Sequence, residues 1–322
     1  MKRIFCSIAA AMMIICTLPV SGWAAELLIP VGEIIGLQLQ NDTVTVAAFD
    51  DALGAAAKEA GIRIGDEILS VNGHTIHSAE DIRRALAHSD PKVSVTVRRG
   101  GKKHTLKLTP QETPDGLRLG VYLRQGIAGI GTVTWYDPDT GSFGTLGHGV
   151  SDAKGSLLAM RQGNAFRAEI VAVRKGKSGD PGQLKGTAEA MDICGTILKN
   201  TPQGVFGTAA NGWKGQPIPV ADYDDIQTGP AAIRSTVDND GPREYSVEIL
   251  KIYPEDRQDG RNFLIKVTDP ALLELTGGIV QGMSGSPICQ NGKIVGAVTH
   301  VLVNDPTMGY GIYIENMLEA AG

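Results

Sequence analysis

What the chain lacks narrows its function first. Its 30 Lys and Arg stand against 35 Asp and Glu, a net charge of −5. The basic excess on which nucleic-acid binding depends is therefore missing. No His-Glu-x-x-His and no Cys-x-x-Cys occurs anywhere in the 322 residues, so the sequence calls for no metal and no other cofactor. A Gly-x-Ser-x-Gly elbow is missing too, which sets the esterases of the α/β-hydrolase class aside. Beyond residue 20 no stretch is long and apolar enough to span a bilayer. Cysteine is scarce. Cys6 and Cys16 lie near the start, and only Cys194 and Cys289 remain beyond them. A disulfide between these two and a pair of buried thiols are both open readings. From Leu117 onwards helical periodicity is scarce until Ile314–Ala320, and no repeat of 20–50 residues appears.

What is present describes a globular chain: 42% hydrophobic and 20% charged residues, with length for roughly two domains. The 41 glycines follow no collagen-like period, and they suit many short strands joined by tight turns. Met1-Lys2-Arg3 is followed by the apolar run Ile4–Val20 and the small-residue stretch Gly22-Trp23-Ala24-Ala25. Residues 1–25 are therefore expected to be a signal peptide or a retained membrane anchor, and the rest to lie outside the cytoplasm.

Residues 26–111 are expected to form one α+β unit. Strands are predicted at Glu33–Leu39 and Thr43–Ala47, with a short helix at Ala55–Ala60. A second helix at Ser78–Ala87 opens with Ser78 as N-cap and Asp81 three residues on. Paired strands at Lys92–Arg99 and Lys103–Leu108 are joined at Gly100-Gly101. The run Gly61-Ile62-Arg63-Ile64-Gly65-Asp66-Glu67-Ile68-Leu69-Ser70-Val71-Asn72-Gly73 resembles the PDZ family. Ile35, Gly36, Leu37, Gln38 and Leu39 stand where that family's carboxylate-binding loop and peptide-binding strand begin. The resemblance implies that a peptide adds a strand there, from another protein or from the same chain.

After a Pro-containing linker, Thr109–Gly116, the texture changes to short apolar runs separated by Gly, Pro, Asn and Asp. Residues 112–322 are accordingly expected to form a β-sandwich or β-barrel domain. Its densest site is Gly282-Met283-Ser284-Gly285-Ser286-Pro287. A serine hydroxyl needs a base to take its proton and N–H donors aimed at the developing oxyanion. Gly282 and Ser284 are the natural donors. The six residues resemble the Gly-Asp-Ser-Gly-Gly-Pro nucleophile loop of chymotrypsin-like proteases, which implies a β-barrel fold with Ser284 as nucleophile. Met283 stands in place of the Asp, so trypsin-style activation by a new N-terminus is not available. Ser286 is a rival nucleophile of lower rank. Of six histidines, His74, His77, His88 and His104 fall in the first unit. His148, in a Gly-His-Gly loop, is the preferred base over His300, which reads as a strand residue. Spacing favours Asp192 as the carboxylate that orients the histidine.

The order of leader, PDZ-like unit, Gly147-His148-Gly149 and Gln281-Gly282-Met283-Ser284-Gly285-Ser286-Pro287 resembles the stage IV sporulation protein B peptidases of endospore-forming bacteria. That likeness maps a catalytic triad onto His148, Asp269 and Ser284, and so prefers Asp269 to Asp192. It further implies export across the forespore inner membrane into the intermembrane space. There such proteins cleave themselves and then a membrane-bound regulator of an intramembrane metalloprotease, which activates a late sigma factor in the mother cell. The competing class is a non-catalytic PDZ scaffold with an inactive protease-like domain.

Overall fold

The computed structural model describes residues 27–322 apart from 88, 90, 153, 154 and 258. The export segment expected over residues 1–25 lies outside them, as does His88. β1 (Leu27–Pro30) and β2 (Ile34–Phe49) lead into α1 (Ala55–Glu59), β3 (Glu67–Val71), β4 (His74–Thr75), α2 (Ala79–Ala87), β5 (Val93–Arg99), β6 (Lys102–Leu108), β7 (Gln111–Thr113) and β8 (Gly116–Arg118). Next come β9 (Val121–Tyr136), β10 (Ser142–Thr145), β11 (Gln162–Arg174), β12 (Gln183–Thr201), β13 (Gly204–Ala209) and β14 (Ile218–Pro219). The last third holds β15 (Gly229–Ser235), β16 (Arg243–Ile252), β17 (Phe263–Val267), α3 (Pro270–Thr276), β18 (Pro287–Gln290), β19 (Lys293–Leu302), β20 (Asp305–Tyr313) and α4 (Ile314–Ala321).

Two antiparallel barrels result. The first runs β2-β9-β10-β13-β12-β11 and closes back on β2. The second is the closed barrel β15-β16-β17-β20-β19-β18. Numbered in chain order, the six strands of each follow 1-2-3-6-5-4, the duplicated architecture of a chymotrypsin-like protease. Alternation builds the interiors: Phe263, Ile265 and Val267 are buried while Leu264 and Lys266 are not. The first barrel closes over Ile35, Leu37, Leu39, Phe143 and Val205. The second closes over Ile233, Ile249, Phe263 and Ile288. Two-residue turns with positive φ connect hairpins as their sequence demands, at Gly100-Gly101 and at Asn291-Gly292.

The PDZ-like unit is inserted into the first barrel. Ile34–Leu39 of β2 pairs with Ile127–Thr132 of β9 on one side, and Ile35–Leu39 pairs with Gly163–Arg167 of β11 on the other. The second half of the same strand, Val44–Phe49, pairs with β3 and with Val121–Gln125 of β9. Gly126 permits the crossing, because its φ is +82° and a Cβ there would lie 1.9 Å from Leu39 O. The start of the first unit at residue 26 is therefore revised, since Ile34–Leu39 belongs to the barrel. The peptide-binding role expected of Ile35, Gly36, Leu37, Gln38 and Leu39 is corrected for the same reason. A strand with a neighbour on each side has no edge to offer. Cys194 and Cys289 are free thiols, one in each barrel.

Within the inserted unit Asp66 is 1% exposed. Its carboxylate takes Arg99 Nε at 2.7 Å and Nη2 at 2.6 Å, and the Arg63 N–H at 2.9 Å. Burial pulls its pKa up, but these bonds outweigh burial and leave it below the carboxylate range. Asp66→Ala strands Arg99, so thermal unfolding is expected to show this unit losing about 3 kcal/mol.

Candidate active site

The loop between α3 and β18 is fastened to both barrels. Thr132 on β9 donates its N–H to Ser284 O (2.9 Å) and its Oγ1 to Gly282 O (2.8 Å), and Thr134 Oγ1 donates to Gly285 O (2.7 Å). Gly285 has φ +95°, and a Cβ on it would lie 2.0 Å from Thr132 O, so only glycine fits beside the nucleophile. Met283 is fully buried in the second barrel's core. Apolar burial thus holds the loop where trypsin-type enzymes use an ion pair. Ser286 is also fully buried, with Oγ 2.7 Å from Met283 O and 2.9 Å from Ser235 Oγ. It is a brace, not a nucleophile.

Ser284, Gly282 and His148 line one cavity of about 340 Å³, whose other wall is apolar: Leu37, Leu39, Ile127, Ile130 and Leu146. Neither the Gly282 nor the Ser284 N–H donates to any acceptor among the described residues. Two unbonded donors beside a serine, in a cavity with a histidine, are what an oxyanion hole requires. His148 follows β10 on a turn in which Leu146 (φ +69°) and Gly147 (φ +67°) are both left-handed. Strain of about 1 kcal/mol at Leu146 sits directly beside the functional side chain. His148 Nδ1 is 3.0 Å from Gly149 O. That contact selects the Nδ1–H tautomer and leaves Nε2 as the base. Burial holds the imidazole below its ordinary 6.5, the Gly149 carbonyl opposing. The Ser284 hydroxyl donates to Thr299 O at 2.9 Å, so it must rotate off this carbonyl before it can give its proton to His148.

Residues 115–318 match the family described as SpoIVB peptidase S55, and residues 52–99 match the PDZ domain. The chain belongs to the SpoIVB peptidase S55 family. One chain thus joins a match to a peptidase family with a match to a PDZ domain. Curated relatives include a Rhizobium meliloti protein named as a zinc metalloprotease, 34% identical over 125 residues, covering 38% of this chain and 31% of that protein. Another is a Bartonella henselae protein named as a DegP-like periplasmic serine endoprotease, 31% identical over 96 residues, covering 29% of this chain and 19% of that protein. The chain thus spans under a third of the length of these relatives. Among solved structures, the Rv3671c protease of M. tuberculosis is 14% identical, covering 62% of this chain and 75% of that chain at TM-score 0.35. The PDZ domain of an SdrC-like protein from Listeria monocytogenes is 19% identical, covering 26% and 87% at TM-score 0.22.

The S55 peptidase's expected acid is placed elsewhere. Asp269 is the N-cap of α3: Oδ1 accepts the Ala271 and Leu272 N–H groups at 3.0 Å each, and Oδ2 lies 3.3 Å from the Ser246 N–H. Asp192 lies on β12, more than half exposed, 3.8 Å from Arg167. Neither is bonded to His148, so among the described residues the Gly149 carbonyl alone orients the imidazole. Asp269→Ala is expected to lower stability by about 1 kcal/mol through the lost cap, with kcat unchanged. A fall in kcat in a variant that is still fully folded would return Asp269 to the catalytic machinery.

His300, on β19, has its ring centroid 5.4 Å from that of His148. It does not line the cavity, and its Nδ1 is buried without a partner. His74, His77 and His104 are exposed in the PDZ-like unit. Leu37 and Leu39, expected to hold a PDZ ligand, instead wall the catalytic cavity. The residues that sequence reasoning missed are Thr132 and Thr134. Their signal was two polar side chains on one face of the strand Gly131–Trp135, buried at 0% exposure. Among the described residues no His, Cys, Asp and Glu cluster could hold a metal, and no helix is long and apolar enough to cross a membrane.

Proposed function

We propose that this S55 peptidase is exported across the forespore inner membrane and works in the intermembrane space. There it cleaves itself and then a membrane-bound regulator of an intramembrane metalloprotease, the step that activates a late sporulation sigma factor in the mother cell. Family membership supports the pathway, and Lys2-Arg3 ahead of Ile4–Val20 supports export. The observation that carries the catalytic part is the single cavity shared by Ser284, His148 and the unbonded Gly282 N–H. Its apolar wall suits substrates with an aliphatic side chain beside the scissile bond.

The PDZ unit would take its peptide at the start of β9. Val121–Gln125 pairs with β2 on one side only, and α2 packs beside the preceding β8. A substrate segment, or one from the same chain, adds there as a strand. A time course of the full-length chain, alone and with the regulator's extracytoplasmic part in membranes, tests the proposal. Self-cleavage followed by regulator cleavage is the expected order, and an intact regulator beside an active peptidase sinks the pathway reading. The second reading, an inactive scaffold, draws on the Ser284 hydroxyl bound to Thr299 O and on a His148 without a carboxylate. A wild-type chain that takes no fluorophosphonate label would establish it.

A further inference from the structure

β11 and β12 extend past the first barrel as a two-stranded arm. Ala168–Arg174 pairs with Gln183–Ala188, and Arg174 bridges Asp180 across the tip. The arm docks on the other barrel. The Gly176 N–H donates to Thr276 O and the Gly179 N–H to Val303 O, each at 2.8 Å. Leu184 is 1% exposed and belongs to the second barrel's core although it stands on a strand of the first. The docking ends beside the nucleophile. Gln183 bridges Gln281 in parallel, the Leu184 N–H donates to Gln281 O at 2.8 Å, and the Gln281 N–H reaches Gly182 O at 3.4 Å.

We propose that this arm positions the oxyanion-hole donor Gly282, with Leu184 as the positioning residue, so that catalysis requires a docked arm. The inference rests on the serine-peptidase reading. Its physical basis is the planarity of the peptide bond. The C=O of Gln281 and the N–H of Gly282 belong to one trans peptide unit and point in opposite directions. Holding the carbonyl on the arm therefore turns the N–H away from the arm. That N–H is one of the two without an acceptor, and Gly282 lines the catalytic cavity. With φ +103°, Gly282 sits where a glycine moves between orientations at little steric cost, so its own backbone does not fix the donor. The Leu184 bond does. A Cβ on Gly282 would lie 3.1 Å from Leu184 Cβ, so the side chain also blocks the room that a flipped peptide would need. The second donor is held separately: Met283 O, in the peptide preceding the Ser284 N–H, accepts from Ser286 N at 3.0 Å and Ser286 Oγ at 2.7 Å. One half of the hole is thus intrinsic to the loop, and the other half belongs to the arm.

Two variants undock the arm from different sides. Leu184→Pro removes the N–H that holds Gln281 O. Gly277→Val puts a Cβ 2.5 Å from Gly176 O at a left-handed position, and it serves should the proline variant fail to fold. On full-length protein shown to be folded by its melting transition, kcat on a peptide substrate is expected to fall about 10²–10³-fold, the cost of one lost donor. KM stays unchanged, because the donor acts only on the transition state. Affinity for a peptide aldehyde, whose adduct carries the oxyanion, falls by the same factor, while affinity for the matching peptide amide does not. A folded variant with wild-type kcat and aldehyde affinity overturns the proposal, as does a loss confined to KM. A wild type that fails to label with a fluorophosphonate removes the peptidase reading and this inference with it. A labelling wild type beside unaffected arm variants removes the inference alone.

Discussion

Ser284→Ala is expected to eliminate fluorophosphonate labelling and to lower kcat on peptide substrates by roughly 10³- to 10⁶-fold. The loss is that large because the other hydroxyl of the nucleophile loop cannot take over. Ser286, two residues on, is fully buried and its Oγ is committed to Met283 O and Ser235 Oγ. The substitution should leave the rest of the loop standing. The Gly282 and Ser284 N–H groups remain, Thr132 and Thr134 still bind the loop's carbonyls, and Met283 stays in the core. Only the bond from Ser284 Oγ to Thr299 O disappears, which costs about 1 kcal/mol. A melting temperature close to wild type beside a silent label is therefore the expected pair of results. Equal labelling of Ser284→Ala and wild type would show that the nucleophile is elsewhere.

Local structure was legible in the residues wherever a turn or a cap dictated it. Gly100-Gly101 and Asn291-Gly292 announce two-residue hairpins because few other pairs accept positive φ twice. Ser78 caps α2, its Oγ 3.1 Å from the Asp81 N–H, although the Asp81 carboxylate accepts the backbone N–H of His77 and not that of Ser78. The nucleophile loop was legible for the same reason, since its glycines answer to backbone geometry. Long-range pairing was not. Leu37 and Leu39 alternate with polar neighbours whether their strand lies in a PDZ unit or in a barrel, and only the partners at Gly129 and Ala165 decide between them. The choice between sandwich and barrel hung on that same closure of β2 against β11. Asp269 misled in another way. An Asp followed by Pro270 is a local helix-start signal, and α3 uses it as one. Asp192 had the right spacing but lies on a strand that carries it to the surface beside Arg167.

His148→Ala is expected to cost about 10³-fold or more in kcat, whereas His300→Asn keeps catalysis and changes how the protein responds to acid. The asymmetry follows from placement: His148 lines the cavity with Ser284 and has its tautomer set by Gly149 O, while His300 lies behind it. A base acts when neutral. Burial keeps the His148 imidazole below 6.5, so kcat/KM should stay level from neutral pH down through the ordinary histidine range and fall only beneath it. His300 bears on stability. Burial first, then His148 and Arg261 nearby, push it down to about 4, with Asp259 opposing. Below pH 6.5 the unfolded chain gains a proton at this residue that the folded chain refuses until about pH 4. Acid in that window therefore favours unfolding. Melting temperatures taken between pH 7 and pH 4 should fall more steeply for the wild type than for His300→Asn, and both proteins should share the same acid limb of kcat/KM. Parallel melting curves would mean that His300 is not held neutral by the fold. Loss of catalysis in His300→Asn equal to that in His148→Ala would mean that the base has been assigned to the wrong histidine.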